Sequence, residues 1–211
     1  MSLICYSRIR FINNLMPLLL QSKPSASVIS VYGAGLEGKL FGSDLSLRDA
    51  EHYSFANARS HIVYFTTMAF EHLAKQHAGR LSLTHVFPGI VVTLSYVDND
   101  HPWWFKFAWK LADPIIQSFK AISAEEIGSR VLYLGTKRSS PGLNDTCEAS
   151  KSIKGTDGTL GSGAYAIGEN SEPVAMKSDY AGLRRDGFES TIMQHTEKAF
   201  EEIQSGWKFT G

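Results

Sequence analysis

A chain of 211 residues, 43% hydrophobic and 20% charged, is long enough for one substantial core, so a single domain spanning 1–211 is expected. Its 21 lysines and arginines balance 21 aspartates and glutamates, which excludes a net field drawing the protein to nucleic acid. Cys5 and Cys147 are its only cysteines and lie far apart, which excludes a disulfide framework or a cysteine-based metal centre, and no metal is expected.

Cys5, Ile9, Ile12, Leu15, Met16 and Leu19 recur at helical spacing and predict an amphipathic helix over 3–21, stopped by Pro24. The apolar run from Leu15 to Leu20 has no small-residue cleavage site after it, unlike a signal peptide. No stretch approaches the ~18 consecutive apolar residues of a spanning helix. A cytoplasmic protein without stable membrane insertion is therefore expected.

Ala26 to Tyr32 is β-branched and mostly apolar on both faces, and it reads as a buried parallel strand ending at Gly33. Gly33-Ala-Gly35-Leu-Glu-Gly38 then satisfies Gly-x-Gly-x-x-Gly directly after a strand, the pattern of a pyrophosphate-cradling turn. That turn needs a helix opening at its last glycines, whereas the residues after Gly38 read as loop, as does 39–51 as a whole. The loop reading is favoured.

Ile62, Phe65, Met68, Ala69 and Leu73 fall on one side of a helix predicted from Tyr53 to Gln76, which Gly79 ends. Leu81 to Phe87 is a further apolar strand, closed by Pro88-Gly89. Alternation of helix and strand predicts an α/β fold with a parallel sheet. Residues 102–121 are aromatic-rich and broken by Pro114, and Ser123-Ala-Glu-Glu126 is a capping-box start for another helix. The stretch 136–163 offers little to bury and reads as a flexible surface insertion. The glycines between Gly155 and Gly168 lack the Lys-Ser/Thr of a phosphate loop and read as flexible too. A helical tail over 178–209 carries Phe188, Ile192, Ala199, Phe200 and Ile203, with Gly206 as its stop.

Taken together, the strand, the loop, Tyr53-Ser-Phe-Ala-Asn57 opening a helix, and the strand ending in Pro88-Gly-Ile-Val-Val-Thr93 resemble the second half of the short-chain dehydrogenase/reductase fold. There a Tyr-x-x-x-Lys helix precedes a strand and a Pro-Gly-x-Val-x-Thr turn. Ser123 to Arg130 and the 178–209 tail look like a fungal branch of that family associated with natural-product pathways. The resemblance implies a partial Rossmann-like parallel sheet with flanking helices, lacking the N-terminal nucleotide-binding strands.

It also implies NADP or NAD as cofactor, an apolar small-molecule substrate, and a homodimer through helices 3–21 and 53–76. Tyr53 and Asn57 take the catalytic positions, while Pro88, Gly89, Val91 and Thr93 take those beside the nicotinamide. A phenol that gives or takes a proton as hydride moves is helped by a nearby cation. Asn57 stands where the family has lysine and can hydrogen-bond but brings no charge. Aligned by strand end, Gly33 stands where the family has serine, and Tyr32 either offers a hydroxyl instead or packs as an aromatic. His61, one turn beyond Asn57, could assist only if the site bends toward it.

Trp103, Trp104, Phe105, Phe107 and Trp109 correspond by resemblance to a lid over the substrate; core aromatics and a membrane-surface patch are the competing readings. The expected function is an oxidoreductase acting on a hydroxyl or carbonyl of an apolar natural product. The alternatives are an accessory dimerising subunit without turnover and a small-ligand binding protein.

Overall fold

Six β-branched or small residues, Ala26–Val31, form strand β1; a loop and the helix α2 (Phe55–Gln76) then lead to β2 (Leu81–Val86), parallel to β1 in the register Ala26↔Leu81 to Val31↔Val86. Strand β5 (Ala164–Ile167) pairs parallel to the other side of β2, from Leu83↔Ala164 to Val86↔Ile167, giving the order β1-β2-β5. The computed structural model describes residues 2–23, 25–91, 102–119, 121–135, 153–207 and 209. Pro24, Thr93, Cys147 and the 136–152 part of the expected insertion lie outside them.

The central strand β2 is buried along its whole length, including Ser82, Thr84 and His85. β1 differs from the expected two-sided burial. It is an edge among the described strands, with Ser27 and Val31 exposed. In a parallel pair, alternate residues turn their amides to one neighbour. Ala26 donates to the Arg80 carbonyl just before β2 and Tyr32 to the Val86 carbonyl at its end, so the amides of Ser27, Ile29 and Val31 face the unpaired side, where the Val31 carbonyl accepts from Arg8 at 3.0 Å.

Before β1, a π-helical turn (Ser2–Tyr6) runs into α1 (Ser7–Leu19), which buries Ile9 and Ile12 while leaving Phe11 and Leu18 exposed. Cys5, fully buried at this junction, has its thiol pushed by desolvation up to about 12, which makes it an inert packing residue. Every residue of α2 from Ser60 to Ala74 except His72 is buried. Tyr6, Ile192, Met193 and Ala199 join Phe65, Met68 and Ala69 in the main core, each large apolar side chain contributing about 1.5–3 kcal/mol on burial.

After β2 come the two-residue β3 (Ile90–Val91), helix α3 (Trp103–Phe119), β4 (Ala121–Ile122), which pairs parallel with β3, and α4 (Ala124–Leu134). The break expected at Pro114 is absent, since α3 continues through it. α4 starts as its capping box predicts, with Ser123 Oγ accepting from the Glu126 amide at 3.1 Å.

The glycine-dense stretch is folded from residue 153 onward. Lys154 and Leu160 form an antiparallel bridge, Ile153 and Thr156 are buried, and β5 itself lies between Gly155 and Gly168. The tail is two helices, α5 (Asp179–Arg185) and α6 (Phe188–Gln204), separated by Gly187 at φ +66°. Arg184 of α5 grips the buried Glu71 of α2 with two hydrogen bonds of 2.8 and 2.7 Å and also the Thr156 carbonyl, tying the tail to the sheet layer.

Candidate active site at the carboxyl edge of the sheet

In a parallel β1–α2–β2 unit the helix runs back against the strands, so the start of α2 lies at the edge where β1 and β2 end. Tyr53, Asn57 and the Pro88-Gly89 turn therefore share the carboxyl edge, the side of an open α/β sheet where ligands bind.

Tyr53 is 66% exposed and stands outside the helix. Ser54, with extended φ −149° and ψ 162°, is the cap and accepts from the Asn57 amide at 3.1 Å, so α2 begins at Phe55 and not at Tyr53. The Asn57 side chain donates to the His52 carbonyl at 2.8 Å. Its amide thus fastens the approach to the helix.

Pro88 and Val91 are partly buried and Ile90 is exposed. Gly89 has φ +75°, and a Cβ there would sit 2.8 Å from Glu169 Oε2 and 3.1 Å from Ile122 Cδ1. The turn after β2 therefore needs glycine for two reasons, handedness and space. Arg130 of α4 holds the neighbouring turn by donating to the Glu169 carbonyl and to Glu126.

The glycine-rich segment after β1 is occupied from within. The Gly33 amide donates to His85 Nε2 at 3.3 Å, Leu36 to the Gly33 carbonyl at 3.0 Å, Gly38 to Ser60 Oγ at 2.8 Å and Phe41 to His61 Nε2 at 3.0 Å. No helix follows Gly38 before Phe55. Gly35, at φ +82°, packs so closely on Val174 that a Cβ would come within 2.7 Å. These amides hold the loop to the protein body, so the loop reading stands.

His85, Tyr180 and Lys177, which the sequence did not single out, anchor that loop. His85 is fully buried on β2; because an amide can only donate to its Nε2, its proton sits on Nδ1, 3.1 Å from Thr67 Oγ1. Desolvation, helped by the Arg8 charge, drives its pKa down to about 3. The Glu37 carboxylate, buried in the loop, accepts from the Tyr180 hydroxyl at 3.0 Å, and Lys177 donates to the Glu37 carbonyl. Tyr64 donates to Asp179 beside them. Each pairs with a residue far away in the sequence, so the sequence carries no local signal of its role.

His61 belongs to the same scaffold. It is fully buried, receives the Phe41 amide and faces the Leu45 carbonyl at 3.4 Å, and burial lowers its pKa. Both ring nitrogens therefore serve the loop, and the site does not bend to bring His61 to Tyr53. Further along, His52 pairs with Asp44 at 2.9 Å and stacks on Phe41.

Tyr32 packs against the main core with the Arg8 guanidinium 5.7 Å from its ring centre. Burial raises its pKa, outweighing the opposing charges of Arg59 and Arg8. This is the packed-aromatic reading. Arg8 also donates to Ser30 Oγ at 3.0 Å.

For a dinucleotide, the fit of these residues is partial. Tyr53 and Pro88-Gly89 share one edge of the sheet by topology, but four amides of the 33–41 loop are already bonded and offer no cradle to a pyrophosphate. Among the described residues no group of three or more His, Cys, Asp and Glu side chains gathers as metal ligands.

No protein-family model matches the chain. It is 32% identical over 212 aligned positions to the short-chain dehydrogenase/reductase SAT2 of Stachybotrys chartarum, covering 96% of this chain and 58% of that protein. It is 33% identical over 203 positions to oxidoreductase AN1596 of Emericella nidulans, covering 93% of this chain and 60% of that one. An NmrA-like family domain-containing oxidoreductase, notO of an Aspergillus species, is 29% identical over 200 positions. The chain thus spans 58–60% of the length of the first two relatives.

Proposed function

The chain is a homologue, over nearly its whole length, of the short-chain dehydrogenase/reductase family, and from that premise we propose that it forms the nicotinamide-side part of an NADP- or NAD-dependent oxidoreductase. Its substrate is a hydroxyl or carbonyl of an apolar natural product. What carries the reading is the parallel β1–α2–β2 unit, whose topology assigns Tyr53 and Pro88-Gly89 to one edge of the sheet. Pro88, Gly89, Val91 and Thr93 are the residues that would hold the nicotinamide, which would supply or take the hydride. Tyr53, solvent-accessible and ahead of the helix cap, exchanges the matching proton with the substrate oxygen.

A second reading, a family member that binds without turnover, is favoured by one observation. The Asn57 amide is committed to the His52 carbonyl, and no cation stands at position 57 to stabilise a phenolate.

Titration of the protein with NADPH and NADH by nicotinamide fluorescence, followed by reduction assays on apolar ketones, separates the two. Turnover by the wild type that is lost in Tyr53→Phe supports the first; binding without turnover supports the second. Unchanged rates in Tyr53→Phe remove this tyrosine from the mechanism.

A further inference from the structure

Helix α3 spans 17 residues, about 26 Å at 1.5 Å per residue. Trp103, Phe107 and Leu111 are 81%, 62% and 62% exposed. Spaced four apart, they form a single row along the helix. Lys106 and Lys110, also exposed and four apart, form a second row along one flank of the first. Trp104, 59% exposed, widens the apolar row on its other flank. The position of Asp113 falls on the side of the lysine row away from the apolar one.

We propose that this face of α3 adsorbs reversibly onto an anionic lipid surface. The helix lies in the plane of the interface, with Trp103, Phe107 and Leu111 at the acyl boundary and Lys106 and Lys110 among the headgroups. An aqueous surface gives three large side chains in register no favourable surroundings. Indole, phenyl and isobutyl groups beside a lysine row match a boundary that is apolar on one side and negatively charged on the other. The protein has no net charge, so the attraction is local to this row. No described helix is long and apolar enough to cross a membrane. Such a face would bring the protein to where apolar substrates dissolve, although the adsorption itself does not depend on turnover.

The test is co-sedimentation of the full chain with phosphatidylcholine vesicles, with and without phosphatidylserine. The wild type is expected to sediment with the anionic vesicles and to be released by salt. The triple variant W103Q/F107Q/L111Q should bind at least about tenfold more weakly. Each of Lys106→Gln and Lys110→Gln should cost about fivefold on anionic vesicles. All five side chains are exposed, so circular dichroism and melting should match the wild type; if the triple variant fails to fold, the lysine variants and the salt titration still decide. Wild type that stays in the supernatant overturns the proposal, as does a folded triple variant that binds equally well. So does a concentration-dependent dimer that the triple variant dissociates without any vesicle binding, because the face would then belong to a second copy.

Discussion

His85 should make this protein less stable in acid. His85 has a pKa of about 3 in the folded chain against 6.5 when free, because burial on the central strand penalises its charged form. Below pH 6.5 the unfolded state takes up a proton that the folded state refuses. Stability is therefore fully present above 6.5 and is lost as pH falls toward the folded value. The slope is about 1.4 kcal/mol per pH unit, or about 2 kcal/mol between pH 6.5 and 5. Urea denaturation across that range, in the wild type and in His85→Gln, measures it. Glutamine can still receive the Gly33 amide and donate to Thr67 but does not titrate. The variant should lose the His85 share of the slope while His61 and His195, whose pKa values burial also lowers, act in both proteins. Equal slopes refute the assignment, as would an NMR titration in which the His85 ring protonates near pH 6.5 in the folded protein.

Glu71 is 2% exposed and held by two hydrogen bonds from Arg184, so Arg184→Ala leaves a buried carboxylate alone and should cost about 3–5 kcal/mol in chemical denaturation. Gly89→Ala combines a left-handed backbone with a contact of 2.8 Å to Glu169, and should cost about 1–3 kcal/mol. Adding Glu169→Ala should recover the part due to crowding and leave the part due to handedness, as a thermal melt of the double variant would show.

The elements legible in the sequence are those with a strong local period. β1, α2 and β2 stand within a residue or two of their expected limits because β-branched runs and a 3.6-residue apolar repeat are built into 26–32, 53–76 and 81–87. β5 was hidden because Ala164-Tyr-Ala-Ile167 is only four residues long and sits among glycines, so composition pointed to a loop while pairing with β2 made a strand. The break between α5 and α6 rests on one left-handed glycine, and the passage of α3 through Pro114 overrides a local breaker. At the site, the motif residues were visible but the anchors were not. A histidine in an apolar strand or a glutamate in a loop shows its role only once the distant partner is known, and Glu37 and Tyr180 are 143 positions apart.

The carboxyl edge separates two requirements that a proton-donating tyrosine usually meets together. Tyr53 has the exposure to meet a substrate, yet its nearest counterpart at the lysine position, Asn57, is neutral and tied to His52. Tyr32 has the cations, Arg8 and Arg59, but lies packed against the core. If Tyr53 is the working group, a cation at position 57 is the missing part, and Asn57→Lys supplies it. Lysine can still donate to the His52 carbonyl, so the start of α2 should survive the change. An opposite charge within about 4–6 Å favours an ionised partner by about 1–3 pH units. The pH profile of kcat should accordingly move toward lower pH, with a rise in rate near neutrality, and Tyr32→Phe should leave both unchanged. A profile that shifts with Tyr32→Phe and ignores Asn57→Lys would transfer the proton step to Tyr32.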